Sequence, residues 1–221
     1  MRTDPASANL SDRLVASVGQ AASARTTPGL YRALLRLLSH GEPVTITELA
    51  AAAGQAFDVV QRAVAGWNDT EYDEQGRIIG WALTLRPTQH RFNIDGRQLY
   101  TWCALDTLFF PAVIGRPARV ESPCAATGVP IRLTVDPTAG VSALDPSAAV
   151  VSIVTPEQMS SVRTAFCNPG RFFATPDAAR AWQCKYPGME VLSVVDAHRA
   201  SRPLSEMLLN GSAPPLQHGL E

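Results

Sequence analysis

No stretch of the 221-residue sequence is apolar for the roughly 20 residues that a bilayer-spanning helix needs. The first twenty residues scatter Arg2, Asp4, Asp12 and Arg13 among short apolar pieces, so the compact apolar core of a secretory leader is missing as well. Neither charge is in surplus. Nineteen Lys and Arg against 20 Asp and Glu leave a formal net charge of -1, which speaks against a chain that coats nucleic acid or lies on an anionic membrane. Cys-x-x-Cys pairs are absent and no His stands at zinc-finger spacing, so a closed structural zinc site is not expected. There is no internal repeat. The cysteines are Cys103, Cys124, Cys167 and Cys184; in the soluble cytoplasmic protein that these absences point to, they are expected as free thiols rather than a disulfide framework.

What is present is globular in kind, with 46% hydrophobic and 18% charged residues. The length suits one ordinary domain and a small accessory one. Residues 1 to about 25 are rich in Ala, Ser and Thr and read as a short helix or loose arm. Between Gly29 and Ser39, Leu30, Leu34, Leu37 and Leu38 fall on one helical stripe, which Gly41 and Pro43 end. Thr45 or Thr47 caps a second short helix closed by Gly54, and a third runs from about Phe57 to Trp67, with Val59, Val60, Ala63 and Val64 inward. A hairpin follows, turning at Asp73 to Gly76 and continuing as an alternating strand from Ile78 to Leu85.

Three short helices and a hairpin are the order of a winged helix. Many such units bind DNA, chiefly through cationic contacts to phosphate. Here the helix that would enter the groove carries Gln55, Asp58, Gln61 and only Arg62 as a cation. Asp69, Glu71, Asp73 and Glu74 make the hairpin acidic, opposed mainly by Arg77. A structural role for this unit is the better expectation.

Beyond Pro87 the pattern changes. A short strand turns at Asp95-Gly96 and gives way to a strongly apolar helix expected from about Arg97 to Phe110, with Pro111 near its end. Strand-like segments ARVESP, IRLTVD and AVVSIV are separated by turns at Thr127-Gly128, Asp136-Pro137 and Asp145-Pro146. A helix from Pro156 to about Ala165 capped by Thr155, a helix from Pro176 to Lys185 capped by Thr175, a strand VLSVVDA and a final helix RPLSEMLLN complete the reading. The fold class is α+β: a winged-helix-like three-helix domain over 1–86, a mixed α+β catalytic core over 87–210, and a mobile tail over 211–221.

Chemistry is concentrated at the cysteines. Cys103 and Asp106 stand three apart in the apolar helix, one turn from each other on one face, among Trp102, Leu105, Leu108, Phe109 and Phe110. Burial there favours the neutral thiol and the neutral carboxyl, so that Asp106 can hold and deliver a proton. On spacing alone, a core cysteine beside a solvent-facing Asp is the better expectation. Cys167 precedes Asn168-Pro169-Gly170, a turn able to aim a thiol into a cleft or to half-bury it. Cys124, before the Thr127-Gly128 turn, reads as a buried structural thiol, and Cys184, beside Lys185 and Trp182, as incidental.

The run LYTWCALDTLFFPAVIGRPARVESPCAATGVPIRLTV resembles the core signature of organomercurial (alkylmercury) lyases. The similarity continues in TEYDEQGRIIGWALTL and VRTAFCNPGRFFAT and covers roughly residues 29 to 200. In that family two cysteines and one aspartate form the catalytic trio. The resemblance assigns those roles to Cys103, Asp106 and Cys167, and the family's structural cysteine to Cys124. Asn168 stands where some relatives have a second Cys, and Cys184 lies outside the pattern.

Such an enzyme splits R–Hg⁺ into the hydrocarbon R–H and Hg(II), a detoxification reaction. Mercury is a soft cation for which thiolates are the matching ligands; Cys103 and Cys167 would hold it, with Asp106 a further possible ligand and the proton carrier. No cofactor is implied, since the metal belongs to the substrate. External low-molecular-weight thiols would carry substrate in and product out, and a mercuric reductase would take the Hg(II); nucleic acid and membrane are not implied partners. Two other readings use the same thiols. A mercury- or metal-sensing winged-helix regulator would need a basic recognition surface, and a thiol metal carrier would have no use for Asp106.

Overall fold

The computed structural model describes residues 5–21, 29–156, 161–186 and 188–210. Its first helix, α1 (Pro5–Ala21), buries Leu10, Leu14, Val15 and Val18 and packs on the last, α7 (Val194–Asn210). The winged-helix-like unit follows. Helix α2 (Leu30–Leu38) turns Leu30, Tyr31, Leu34, Leu35 and Leu38 inward. Thr45 is the cap of α3 (Ile46–Ala53): its hydroxyl accepts the Glu48 N–H at 3.2 Å while the Glu48 carboxylate accepts the Thr45 N–H at 2.8 Å. Helix α4 (Phe57–Ala65) buries Val60 and Val64, whereas Val59, expected inward, is exposed. Strands β1 (Glu71–Tyr72) and β2 (Ile78–Trp81) make the wing, and Val44 bridges to Ile78.

The sequence pattern predicted one alternating strand from Ile78 to Leu85. Instead the chain breaks at Ala82, whose φ is 63°, and β3 (Leu83–Thr84) folds back on β2, with every residue of both strands buried. Arg97 to Thr101 is not the start of a helix but strand β5, paired with β4 (His90–Ile94) through the Asp95-Gly96 turn. Helix α5 therefore begins at Ala104 and runs to Ile114, passing through Pro111. Ten of its 11 residues are buried, as a helix apolar on all sides must be.

Strands β6 (Ala118–Pro123), β7 (Pro130–Asp136) and β8 (Gly140–Asp145) complete an antiparallel sheet in the order β1-β2-β3-β5-β4-β6-β7-β8. Its β8 was not foreseen, because a half-exposed GVSALD gives a weak period-2 signal. Strand β9 (Val150–Ile153) lies between β10 (Phe172–Phe173) and β11 (Glu190–Ser193) in a smaller sheet. The helix expected from Pro156 falls partly on residues outside those described; the described part is a π-helical turn, Arg163–Cys167. Helix α6 (Pro176–Lys185) has Thr175 as its cap, with the hydroxyl accepting the Ala178 N–H at 3.2 Å. The last strand is shorter than VLSVVDA, since α7 takes over at Val194. The tail at 211–221 lies outside the described residues. Helix α5 sits at the centre, against α2, α7 and both sheets. Tyr31 packs edge-on to Trp81 at 4.7 Å between ring centres, and Trp81 stands 6.0 Å from Trp102, tying the winged unit to the core.

Candidate active site

Strand β5 ends at Thr101, and two residues later Cys103 takes an extended backbone as the N-cap of α5. The Asp106 carboxylate accepts the Cys103 N–H at 3.1 Å, and the Cys103 sulfur faces the Asp106 N–H, the reciprocal arrangement of a capping box. The two residues thus meet through a helix cap, not across one face of a helix as their spacing implied. A cap position also turns the positive end of the helix toward the sulfur.

Cys167 arrives from the other side on the π-helical turn. Its carbonyl accepts the Gly170 N–H at 3.0 Å, and the Gly170 carbonyl accepts the Ala104 N–H at 3.1 Å, docking the turn on the first amide of α5. The Pro169 carbonyl accepts from the Ser152 hydroxyl at 2.7 Å and from the Trp182 indole at 3.0 Å, fixing the turn from behind. The approach is tight at Gly170: a Cβ there would lie 3.1 Å from the Cys103 Cβ, so one of the two would have to give by a few tenths of an ångström. The outcome is a close trio. The two Sγ atoms of Cys103 and Cys167 and a carboxylate oxygen of Asp106 all lie within 4.8 Å of one another, and all three residues are buried.

Burial sets their protonation. It pushes the Asp106 carboxyl up to about 7, although hydrogen bonds from Cys103 and the Trp102 backbone pull the other way. The Cys103 thiol is raised by burial, partly relieved by a hydrogen bond from the Cys167 thiol. Cys167 is raised further, by burial and then by donating to Cys103, with the Arg163 guanidinium as the opposing influence. Cys103, unlike Cys167, also caps α5, whose amide end favours a thiolate there. Trp102, Leu105 and Phe109, from the apolar surroundings of the pair, are all buried.

Cys124 is buried at the turn that its own carbonyl closes with Gly128 (2.8 Å). Burial raises its thiol, but hydrogen bonds from Thr127, Ala174 and Ala126 outweigh that and leave it lowered. Cys184 is exposed on α6.

Similarity to known proteins is strong over the same residues. The family model for alkylmercury lyase matches residues 83–206, and that for the helix-turn-helix domain of alkylmercury lyase matches residues 7–82. The chain belongs to the alkylmercury lyase family. An alkylmercury lyase of Streptomyces lividans is 52% identical over 212 residues, covering 96% of this chain and 98% of that protein. Its counterpart in Bacillus cereus is 54% identical over 173 residues, 78% of this chain and 79% of the relative. Among solved structures, the mercury-bound form of MerB2 matches with a TM-score of 0.67 at 24% identity, covering 77% of this chain and 85% of that one. At that identity the likeness is one of fold, and it agrees with the α+β architecture and its helical N-terminal unit.

Two residues without any motif to mark them also bear on the trio. The phenol of Tyr31, on α2, is held well above its usual range by burial first and then by Asp106, Cys167 and Cys103. Arg163 lies with its guanidinium carbon 4.9 Å over the Trp102 ring and is ion-paired to Glu71 of the wing. Its place four residues before Cys167 was the one available signal, and four-residue spacing says little outside a regular helix.

Proposed function

We propose that this chain cleaves the carbon–mercury bond of R–Hg⁺ by protonolysis, with Cys103 and Cys167 as mercury ligands and Asp106 as proton carrier. The observation that carries the assignment is the juxtaposition of two thiols and one carboxyl within 4.8 Å in a buried site. Mercury is the substrate's own metal. The first step is thiol exchange: R–Hg–SR′ passes its mercury to the Cys103 sulfur, the more easily ionised, and R′SH leaves with the Cys103 proton. The Cys167 thiol then gives its proton to the Asp106 carboxylate as its sulfur joins the mercury. Added electron density from the second sulfur weakens the Hg–C bond and makes its carbon more basic. Asp106 returns the proton to that carbon; the Hg–C electron pair becomes the C–H bond, and R–H departs. Mercury is left on two sulfurs with Asp106 again ionised, so charge and protons balance.

A carboxyl near 7 suits this relay, because it can both accept a thiol proton and surrender one at neutral pH. The buried indole, leucine and phenylalanine around the trio exclude water and hold the organic group. Two external low-molecular-weight thiols would then exchange for Cys103 and Cys167 and carry Hg(II) to a mercuric reductase. The reaction needs no cofactor. Free thiols in this number suit the reducing cytoplasm, and no helix among the described residues is long and apolar enough to cross a membrane. The chain divides near residue 86 into winged unit and core on this reading, with the winged unit structural rather than nucleic-acid-binding: Arg62 of α4 is paired with Asp58, and Asp69 and Glu71 turn toward the core.

The deciding experiment incubates reduced protein with phenylmercury and excess small thiol and measures benzene by gas chromatography. Catalytic release that vanishes in Cys103→Ser supports the assignment. Stoichiometric mercury capture without benzene would mean a carrier or sensor.

A further inference from the structure

Asp69 and Glu71 stand in the winged-helix-like unit, yet both face the segment that bears Cys167. Asp69 accepts from the Ser161 hydroxyl at 3.0 Å and from the Arg163 N–H at 3.3 Å, at the point where the chain enters the π-helical turn. Glu71 is almost wholly buried, its side chain 6% exposed. One carboxylate oxygen takes the Arg163 guanidinium and the other takes the Thr84 hydroxyl. The opposite strand leaves the space: a Cβ at Gly80 would overlap the Glu71 carboxylate and Thr84. A buried carboxylate needs such partners, since its charge is costly to desolvate unpaired.

Arg163 joins two things. Its carbonyl accepts the Asn168 N–H at 2.8 Å, closing the turn that carries Cys167, and its guanidinium lies over Trp102, the residue before Cys103. One side chain therefore spans the chain segments of both thiols, and its charged end is anchored by a carboxylate from the wing.

We propose that Glu71, with Asp69, is a positioning residue for the lyase reaction: through Arg163 it fixes where the Cys167 sulfur stands relative to Cys103. On this reading the acidic wing of the N-terminal unit braces the active site. The proposal rests on Cys167 being the second mercury ligand. Glu71 touches neither substrate nor mercury and acts only through Arg163. Its loss should leave capture of R–Hg⁺ by the first thiol intact and slow the later step, in which the second sulfur must reach the metal.

The test is a double-mutant cycle with Glu71→Gln and Arg163→Gln in the full chain, using phenylmercury and excess thiol. Rates are expressed per site that captures phenylmercury stoichiometrically, so lost folded protein does not count. Glu71→Gln is expected to lower benzene release at saturation by roughly 10–100-fold, the scale of an ångström-sized misplacement, with little change in KM. In the Arg163→Gln background it should cost nothing further, because the pair acts as one unit. A Glu71→Gln rate within twofold of wild type, or losses that multiply in the double variant, would overturn the proposal. Asp69→Asn, which weakens the other brace, provides the same comparison if Glu71→Gln does not fold, and unchanged release per site would then refute it. Cys167→Ser is measured alongside: if it still releases benzene at the wild-type rate, the ligand assignment has failed, a result separate from that of the wing variants.

Discussion

The Asp106 carboxylate that receives the Cys103 N–H at 3.1 Å is also the group within reach of both thiols. Capping the helix and carrying the proton therefore fall to one side chain. Asp106→Asn keeps an oxygen acceptor for the cap but cannot relay a proton. The variant should fold and capture phenylmercury while losing benzene release by at least about a hundredfold, the usual scale for a general acid. A single-turnover assay of captured mercury against released benzene separates the two steps.

The same substitution should change stability with pH. In the unfolded chain the carboxyl has an ordinary value, 3.8, and in the fold about 7. At pH below the unfolded value both states hold the proton and its stabilising share is complete. As pH rises toward 7 the unfolded state releases a proton that the folded state keeps, so stability falls, and above 7 that loss is complete. Linkage puts the loss at no more than about 4 kcal/mol. Urea unfolding at pH 5 and pH 8 should find Asp106→Asn gaining on the wild type at the higher pH; a constant gap would contradict the raised carboxyl.

Neither thiol should be replaceable by a hydroxyl, a hard and poorly ionised ligand for a soft metal. Cys103→Ser and Cys167→Ser should each lower release by about a hundredfold or more, with circular dichroism unchanged. Loss of Cys103 should also reduce first capture more than loss of Cys167, because Cys103 accepts a hydrogen bond from its partner and is the readier to ionise.

Gly170→Ala would put a methyl 3.1 Å from the Cys103 Cβ and 3.6 Å from its sulfur. The docked turn must move by a few tenths of an ångström. We expect about a tenfold loss in kcat, with a stability cost of about 1–3 kcal/mol from overpacking, to be checked by steady-state kinetics and thermal melting of the same preparation.

Cys124→Ser should act on stability alone. The sulfur is buried and receives hydrogen bonds from Thr127 and backbone amides; a shorter hydroxyl meets them less well, at a cost of about 1–3 kcal/mol. kcat for the folded fraction should match wild type.

Much of this site was legible in the sequence, but by two different routes. Spacing brought Cys103 and Asp106 to one face but favoured a core cysteine beside a solvent-facing Asp; their pairing as a site, and the partnership with Cys167, came only from family resemblance. The geometry between them is not legible along the chain, because LYTW, between a turn and an apolar helix, carries no breaker to mark where the strand ends. The cap lies at Cys103 because β5 must pair with both β3 and β4 up to Thr101. That constraint is long-range and leaves no local pattern. Glu71 and Arg163 escaped for the same reason: read along the chain, the acids of the wing looked like a solvated face, whereas Glu71 is buried in a slot emptied by Gly80. The winged-helix order, in contrast, was plain, since α2, α3 and α4 each carry their own stripe and the first two end at glycine or a short turn.

The family models meet between residues 82 and 83, at the Ala82 bend where β2 gives way to β3. Hydrogen bonding ignores that seam: Trp81 pairs with Leu83 across it, and Leu83 in turn with Thr101. Cutting the chain there would strip the two-residue β3 of its partner β2 and leave it as an open edge beside β5, and an uncovered strand edge is a template for pairing with another chain. An excised catalytic half should accordingly aggregate rather than work slowly. In this chain the helix-turn-helix unit is stitched through β2 and β3 into the same hydrogen-bonded sheet as the core, rather than set beside it.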